Sequence, residues 1–425
     1  MNILILGGGG REHALGWKIK QSKRTRNLYF APGNAGTTSL GRNIPVDVTD
    51  FTNIGKACLD LKVDLVVVGP EVPLVKGIRD YFEQTQGLSN ILFVGPGSSG
   101  ARLEGSKDFS KQFMVRHGIP TAKAQTFTTQ TLETGHAYLE QCSMPIVLKA
   151  DGLAAGKGVI ICESLKSAHD TLDDMLANHR FGDASAQVLI EQFLEGIEVS
   201  MFVLTDGSSY VVLPEAKDYK RIGDADTGPN TGGMGAVSPV PFVTSNFRRL
   251  VEERVIAPTI AGLKQEGIPY RGFIFFGLIK VKEEPFVIEY NARMGDPETE
   301  AVMPRIQSDL VELLQATAEG KLADHTMLID PAPATTVVMV SGGYPGNFTK
   351  GHLIQGLANT ASALVFHAGT RPTDEGVVSD GGRVLAVTGR GDTAEQARAA
   401  AYTAVAGISW KDEYFRKDIC VDLLV

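Results

Sequence analysis

The run Glu289-Tyr290-Asn291-Ala292-Arg293-Met294-Gly295-Asp296-Pro297-Glu298 follows a strand-like segment, Pro285-Phe286-Val287-Ile288. Strand side chains alternate between faces, so Glu289 and Asn291 point the same way. A carboxylate and an amide oxygen on one face are hard oxygen ligands, suited to a Mg²⁺ ion that also touches substrate phosphates. Arg293 is the next residue on that face if the strand persists. Its guanidinium suits a carboxylate or a transferring phosphoryl group. Metal ligands followed two residues later by a cation are what nucleotide-dependent acyl activation needs. The plainer alternative is a strand end with solvated polar residues; the ordered set favours the site.

Composition limits what surrounds this run. The chain has 425 residues, 43% hydrophobic and 21% charged, which suits a soluble protein of two to four domains. A formal charge of −8 argues against a nucleic-acid binder. Cys58, Cys142, Cys162 and Cys420 are scattered without metal-ligand spacing, as expected of thiols in a reducing compartment. The strand Asn2-Ile3-Leu4-Ile5-Leu6 starts at once, with no basic region or cleavage site before it. No apolar run approaches the roughly 20 residues of a membrane span. A cytoplasmic enzyme is the expectation. The 47 glycines cluster at several loops without a fixed period, which suggests a multi-part phosphate and nucleotide site.

In the first hundred residues, Ile3–Leu6, Leu28–Ala31, Leu65–Val68 and Ile91–Val94 are short apolar strands that end in glycine or proline turns. Their alternation with helical segments predicts a doubly wound parallel sheet, with ligand loops at the strand C-termini. Gly8-Gly9-Gly10-Arg11-Glu12-His13 lacks the third small residue of a dinucleotide fingerprint, and no acidic residue ends the second strand. A nicotinamide site is therefore discounted. The loop is either an anion site at a helix N-terminus or a tight turn with no ligand.

The strand Pro145-Ile146-Val147-Leu148-Lys149-Ala150 carries one lysine, which is costly on an interior face unless paired with an anion. The loop Asp151-Gly152-Leu153-Ala154-Ala155-Gly156-Lys157-Gly158 is followed by a second strand, not a helix, so it is not a P-loop. Between two strands it predicts a hairpin flap that closes over phosphates. In Val188–Glu198 an apolar strand runs into an acidic segment against which a purine can lie, with Glu198 accepting from ribose hydroxyls. The stretch Lys217–Gly235 is so polar and glycine-rich that it predicts an ordered ligand loop without strands, packed through Met234.

The order of these motifs resembles the ATP-grasp ligases and, within them, the glycinamide ribonucleotide synthetase family. The residues that carry the resemblance are Gly8–Ala14, Gly69-Pro70-Glu71, Glu104-Gly105-Ser106-Lys107, Ala150–Val159, Asp226–Ala236 and above all Arg293–Glu300, with Ser341–Pro345 and Gly381-Gly382-Arg383 near the C-terminus. Tyr219 departs from the family pattern, where His is common, and Glu300 departs where Gln is common. The resemblance implies a multidomain α/β protein: an N-terminal α/β domain over 1–101, an ATP-grasp domain over 102–326 with a mobile lid near 121–190, and a small C-terminal domain over 327–425. It implies ATP-dependent ligation of glycine to 5-phosphoribosylamine through a glycyl phosphate, with Mg²⁺ or Mn²⁺ as cofactor. By the same resemblance Lys107, Lys149 and Gly156 contact ATP phosphates, and Glu191, Phe193 and Glu198 hold adenine and ribose. Glu289 and Asn291 bind the metal, and Arg293 and Asp296 serve the reacting groups. Gly10, Asn34, Gly36 and Asp218 contact the other substrates. Another ATP-grasp ligase of a purine intermediate, or a silent nucleotide-binding regulator, are the rival readings.

Overall fold

The computed structural model describes residues 1–153, 158–360 and 363–424. The first domain is a five-stranded parallel sheet in the order Arg42–Asn43, Asn27–Pro32, Asn2–Gly7, Leu65–Val68, Leu92–Val94. Its strands are apolar on both faces because both faces are covered. Ile3, Ile5, Leu65 and Val67 enter one core, and Leu4, Leu6, Val66 and Val68 enter another. The order of winding switches sides between the parallel strands Asn2–Gly7 and Leu65–Val68, so the crevice of this doubly wound sheet opens at their C-terminal ends.

The central part holds two antiparallel sheets. The outer one runs in the order Ala124–Thr128, Gln187–Gln192, Ile146–Ala150, Val159–Cys162. The helices Leu132–Leu139 and Leu165–Leu176 cover one face, where Ile146, Leu148 and Leu172 form a separate small core. Alternation sends Lys149 to the opposite face. The inner sheet runs Tyr210–Val212, Ile197–Thr205, Gly272–Val281, Glu284–Asn291. Val199, Met201, Ile274, Phe276, Val287 and Tyr290 pack under the helices Lys107–Arg116, Ser245–Val251 and Ala257–Gln265. The other face carries Ser200, Gly277, Glu289 and Asn291.

The polar stretch after residue 216 corrects one expectation, because it does form strands. Lys217–Asp218 and Gly235–Ser238 join the C-terminal sheet beside Ala334–Ser341, Arg383–Arg390 and Ala363–His367. Between them Arg221–Gly223 and Thr227–Asn230 form a hairpin. Thr227–Asn230 is exposed along its length, so only backbone pairing holds it and no apolar alternation marks it. Met234 is fully buried, as expected. Among the described residues no helix is long and apolar enough to cross a membrane.

The first and last domains meet at two histidines. The backbone amide of His367 donates to His13 Nδ1 (2.8 Å). Burial pushes His13 down to about 3, with His367 adding to the effect, and pushes His367 down to about 4. Both rings are therefore neutral in the fold. The unfolded chain regains ordinary histidines near 6.5, so it binds protons that the fold refuses. Their contribution to stability is complete above pH 6.5 and is lost as pH falls toward 4, at up to about 1.4 kcal/mol per pH unit per ring. Urea midpoints measured from pH 7 to pH 4.5 should fall accordingly, and His367→Gln should flatten the decline.

Candidate active site

Glu284–Asn291 pairs with Gly272–Val281, but with one extra residue: Gly277 faces Glu289, Leu278 faces Val287, and Ile288 bulges between them. A bulge re-aims neighbouring side chains and frees backbone groups. Here it frees the Ile288 carbonyl, which accepts from Lys149 Nζ (3.2 Å). Gly277 leaves room for the acid opposite, since a Cβ there would stand 2.9 Å from Glu289 Cγ. The strand ends at Asn291, so Arg293 lies in the following loop and is not the next residue on the strand face.

Glu104, near the end of the helix Ser98–Gly105, fixes this strand end. Its Oε2 accepts from the Ala292 amide (2.8 Å), and its Oε1 pairs with Arg293 Nη2 (2.8 Å). With its amide turned so that Nδ2 donates to Glu104 Oε1 (2.9 Å) and to the Tyr290 carbonyl (3.3 Å), Asn291 has its oxygen on the side away from those acceptors. Arg293 Nε lies 3.4 Å from Glu71 of the first domain. Burial raises the Glu104 carboxyl, opposed by Arg293, while Glu71 is lowered by Arg293 and Arg11 against its own burial.

Lys149 and Lys107, the two lysines expected to contact phosphates, stand at the root of the outer sheet. Lys149 is buried and pairs with Glu191 Oε2 (2.7 Å), and Lys111 takes Glu191 Oε1 (3.2 Å). Both oxygens of Glu191 are thus committed to lysines, a partnership that sequence reasoning missed. These lysines hold the Glu191 carboxyl below its usual range despite burial. Lys107 opens the helix Lys107–Arg116 and reaches the Gly152 carbonyl (3.3 Å). Burial lowers it, opposed mainly by Glu289. Asp151 ties the loop root to the same helix through the Asp108 amide (2.7 Å). The flanking strands pair antiparallel as a hairpin, and Gly156 lies outside the described residues. Phe193 is half-buried just beyond the strand Gln187–Gln192.

A second group of acids surrounds one lysine. Lys220 bonds Glu198, and its ammonium is held well above the usual range by Asp218, Glu198 and Glu289 against burial. Burial raises Asp218. Glu298 is buried, accepts from Ser200 Oγ (3.0 Å) and is pushed up to about 7, first by burial and then by Asp218. Acids outnumber cations here, which favours a bound cation. Among the described residues no three His, Cys, Asp or Glu side chains form a ready metal cage. Two protein oxygens completed by phosphates and water is the form that Mg²⁺ takes, so Glu289 and Asn291 fit it.

The loops expected to hold the other substrate are largely filled by protein. Glu12 folds beneath the glycine turn, its Oε2 accepting from the Gly9 amide (2.6 Å) and its Oε1 from Arg11 Nε (2.6 Å). The chain's own carboxylate thus caps this helix N-terminus. Asn34 Nδ2 donates to Gly8 O (2.9 Å) and His367 O (2.6 Å), and its Oδ1 accepts from the amides of Gly36 (2.9 Å) and Thr37 (3.1 Å). This side chain supports the loop, and contact with a ligand would require these bonds to break. Gly36 abuts His13 and His367, and a Cβ on Gly10 would stand 2.3 Å from Glu300 Oε1. Asp296 pairs with Arg383 of the C-terminal sheet (3.1 Å). Glu300 is buried, its Oε2 has no partner among the described residues, and burial beside Asp296 raises its carboxyl well above the usual range.

Glu104, Glu71, Lys111, Lys220 and Arg383 are parts of the site that sequence reasoning left without roles. Glu104 carries one signal: helical spacing puts it on the buried face of Gly100, Ala101 and Leu103. Glu104→Ala should weaken metal affinity by about 10- to 100-fold, as loss of a ligand's support does. Glu104→Gln should recover part of it. The Mg²⁺ dependence of turnover checks this.

Three family models cover nearly the whole chain: phosphoribosylglycinamide synthetase N domain over 1–104, ATP-grasp (A) domain over 105–299 and C domain over 334–422. The chain is 48% identical to phosphoribosylamine–glycine ligase of Escherichia coli, over 99% of this chain and 98% of that one. The crystal structure of phosphoribosylamine–glycine ligase from Thermotoga maritima superposes with a TM-score of 0.86 at 34% identity, covering 99% of this chain and all of that one (100%). Biotin carboxylase from Campylobacter jejuni shares the fold at a TM-score of 0.73, 16% identity and coverage of 97% and 92%. With its three domains matched in order and a relative nearly half identical along its length, the chain belongs to the phosphoribosylglycinamide synthetase family of ATP-grasp ligases.

Proposed function

We propose that this chain joins glycine to 5-phosphoribosylamine, with ATP as cosubstrate and Mg²⁺, or Mn²⁺ in its place, as cofactor. The products are glycinamide ribonucleotide, ADP and phosphate, a step of purine biosynthesis. The supporting observation is Glu289 and Asn291, braced by Glu104, directly beside Lys149 at the root of the outer sheet. The domain division taken is 1–101, 102–326 and 327–425, with the sheet around Lys149 as the lid.

A carboxylate is a poor electrophile, so glycine is first phosphorylated by the γ-phosphoryl group of ATP. The amine of phosphoribosylamine then attacks the acyl carbon and phosphate leaves. The protein supplies positions and charge. A divalent cation held by Glu289 and Asn291 would neutralise phosphate oxygens. Lys107, Lys149 and the Gly156 loop cover the phosphates. Lys149 exchanges the Ile288 carbonyl for a phosphate oxygen while Glu191 keeps it in place. Adenine and ribose lie along Glu191, Phe193 and Glu198, and Glu198 gives up Lys220 to take the ribose. Arg293 steadies the transferring group. Asp296 and Asp218 attract the glycine ammonium, and the loops of Gly10, Asn34 and Gly36 shape the phosphoribosylamine pocket.

Phosphate release should require ATP, Mg²⁺, glycine and phosphoribosylamine together. Turnover with bicarbonate or formate in place of glycine would point to another ligase. Glu289→Gln keeps size but removes charge, and should cut kcat by at least about 10²-fold with the melting curve unchanged. A near wild-type rate at saturating Mg²⁺ would remove Glu289 from the metal site. Glycine labelled with heavy oxygen in its carboxylate should pass one labelled atom per turnover to inorganic phosphate. Unlabelled phosphate would exclude the acyl phosphate route while leaving the ligase assignment standing.

A further inference from the structure

The stretch that brings Asp218 and Lys220 to the acid cluster has a reverse side, and residues 416–422 hold it. Alternation from the strand Lys217–Asp218 onward puts Asp218 and Lys220 on one side, and Lys217 and Tyr219 on the other. Asp218 and Lys220 act on each other and on Glu198 and Glu289. Tyr219 is buried on the reverse side. Its Oη donates to Asp422 Oδ1 (2.5 Å) and accepts from the Cys420 amide (3.0 Å). Lys217 pairs with the same Asp422 carboxylate and lies 4.4 Å over the Tyr219 ring.

The same segment grips the hairpin that follows. Arg416 is only 1% exposed, and all three of its guanidinium nitrogens are used here. Nε and Nη2 take the Asp418 carboxylate as a fork (2.8 and 2.7 Å), and Nη1 donates to Asp226 (2.6 Å) and to the Arg221 carbonyl (3.2 Å). Asp418 Oδ2 also accepts from the Ala225 amide (2.7 Å), and Asp224 Oδ1 accepts from the Lys417 amide (2.8 Å). Each residue of the turn 224–226 is thus tied to residues 416–418. Ala225 and Asp226 hold φ of +53° and +52°, the left-handed region that is costly for a residue with a Cβ. Cys420, which holds the Tyr219 hydroxyl, is left-handed too at +76°. Such strain persists where surrounding contacts over-determine the backbone, and it gathers at ligand clamps. Thr227–Asn230 is exposed along its length, so the bonds to this hairpin secure no core; they fix where it stands.

We propose that residues 416–422 form a clasp, and that Arg416 and Tyr219 are positioning residues that hold Asp218 and Lys220 at the glycine end of the site. The proposal rests on the ligase reading, in which Asp218 attracts the glycine ammonium. Asp218 and Lys220 flank Tyr219 in sequence, so a shift of its ring moves both. Displacement of the hairpin reaches Lys220 as well, because the Thr231 amide and hydroxyl both donate to the Lys220 carbonyl (2.8 Å each). Asn291 is braced by Glu104 and Lys149 by Glu191, on elements that the clasp does not touch. The clasp therefore sets affinity for glycine and leaves the metal and nucleotide positions alone.

The test uses the full chain with Tyr219→Phe, which removes only the hydroxyl, or Arg416→Met, which removes the fork and keeps much of the bulk. Each should raise the glycine KM by about fivefold or more, with kcat at saturating glycine and affinity for Mg²⁺ with a non-hydrolysable ATP analogue within about twofold of wild type. Arg416→Lys keeps the charge but not the fork, and should behave as Arg416→Met does. Circular dichroism reports folding; should Arg416→Met not fold, Asp226→Asn breaks the same ion pair from its exposed end. Hydrogen exchange should quicken over 217–230 and stay unchanged over 146–150. An unchanged glycine KM in the folded variants, or equal weakening of glycine and nucleotide, would overturn the positioning role and leave a structural fastening. A wild type that releases no glycine-dependent phosphate would instead sink the ligase reading, and the glycine role with it, whatever the exchange shows of the clasp.

Discussion

The Glu104 carboxylate is buried, and three groups from residues 291–293 converge on it. A buried carboxylate is tolerable only with such partners. The strand end is consequently fixed in register, Asn291 has one favoured amide orientation, and Arg293 is drawn toward Glu71. Each of those placements involves a residue proposed for the cation and phosphate chemistry, yet Glu104 itself makes no contact with Glu289. The site is precise because a structural charge must be satisfied.

A similar exchange of partners explains how the lysines persist without nucleotide. Lys149 is buried among Glu191 and a carbonyl freed by the bulge at Ile288. Lys220 is held by Asp218, Glu198 and Glu289. Charges that would be costly alone are stored in ion pairs that resemble the contacts a nucleotide would make. Binding then substitutes one set of anions for another, and little new desolvation is required.

Much of this architecture is legible in the sequence, for physical reasons that can be named. Buried parallel strands are unbroken apolar runs, so Leu65–Val68 is plain to see. A lone lysine in an apolar strand announces a buried charge, and Lys149 is one. Glu-x-Asn on a strand end survives as a same-face pair because side chains alternate. The strands at 217–238 are not legible, because backbone pairing and exposed polar side chains leave no periodic trace. The partners of Glu104 and Asn34 are also hidden. Ala292 is 188 residues from Glu104, and His367 is 333 residues from Asn34. Only the fold brings such groups together, and a residue that supports a loop carries the same letter as one that lines it.

The contacts of Asp296 with Arg383 and of Asn34 with the His367 carbonyl have a bearing on modularity. Both tie earlier loops of the chain to the C-terminal sheet. That sheet also borrows two strands, Lys217–Asp218 and Gly235–Ser238, from the middle of the chain. The C domain matched over 334–422 is therefore a unit in sequence but not in hydrogen bonding. Exchanging the C-terminal segment between relatives would transplant four of the sheet's six strands and two loop anchors. Recombination in this architecture is constrained to swaps that carry the borrowed strands along.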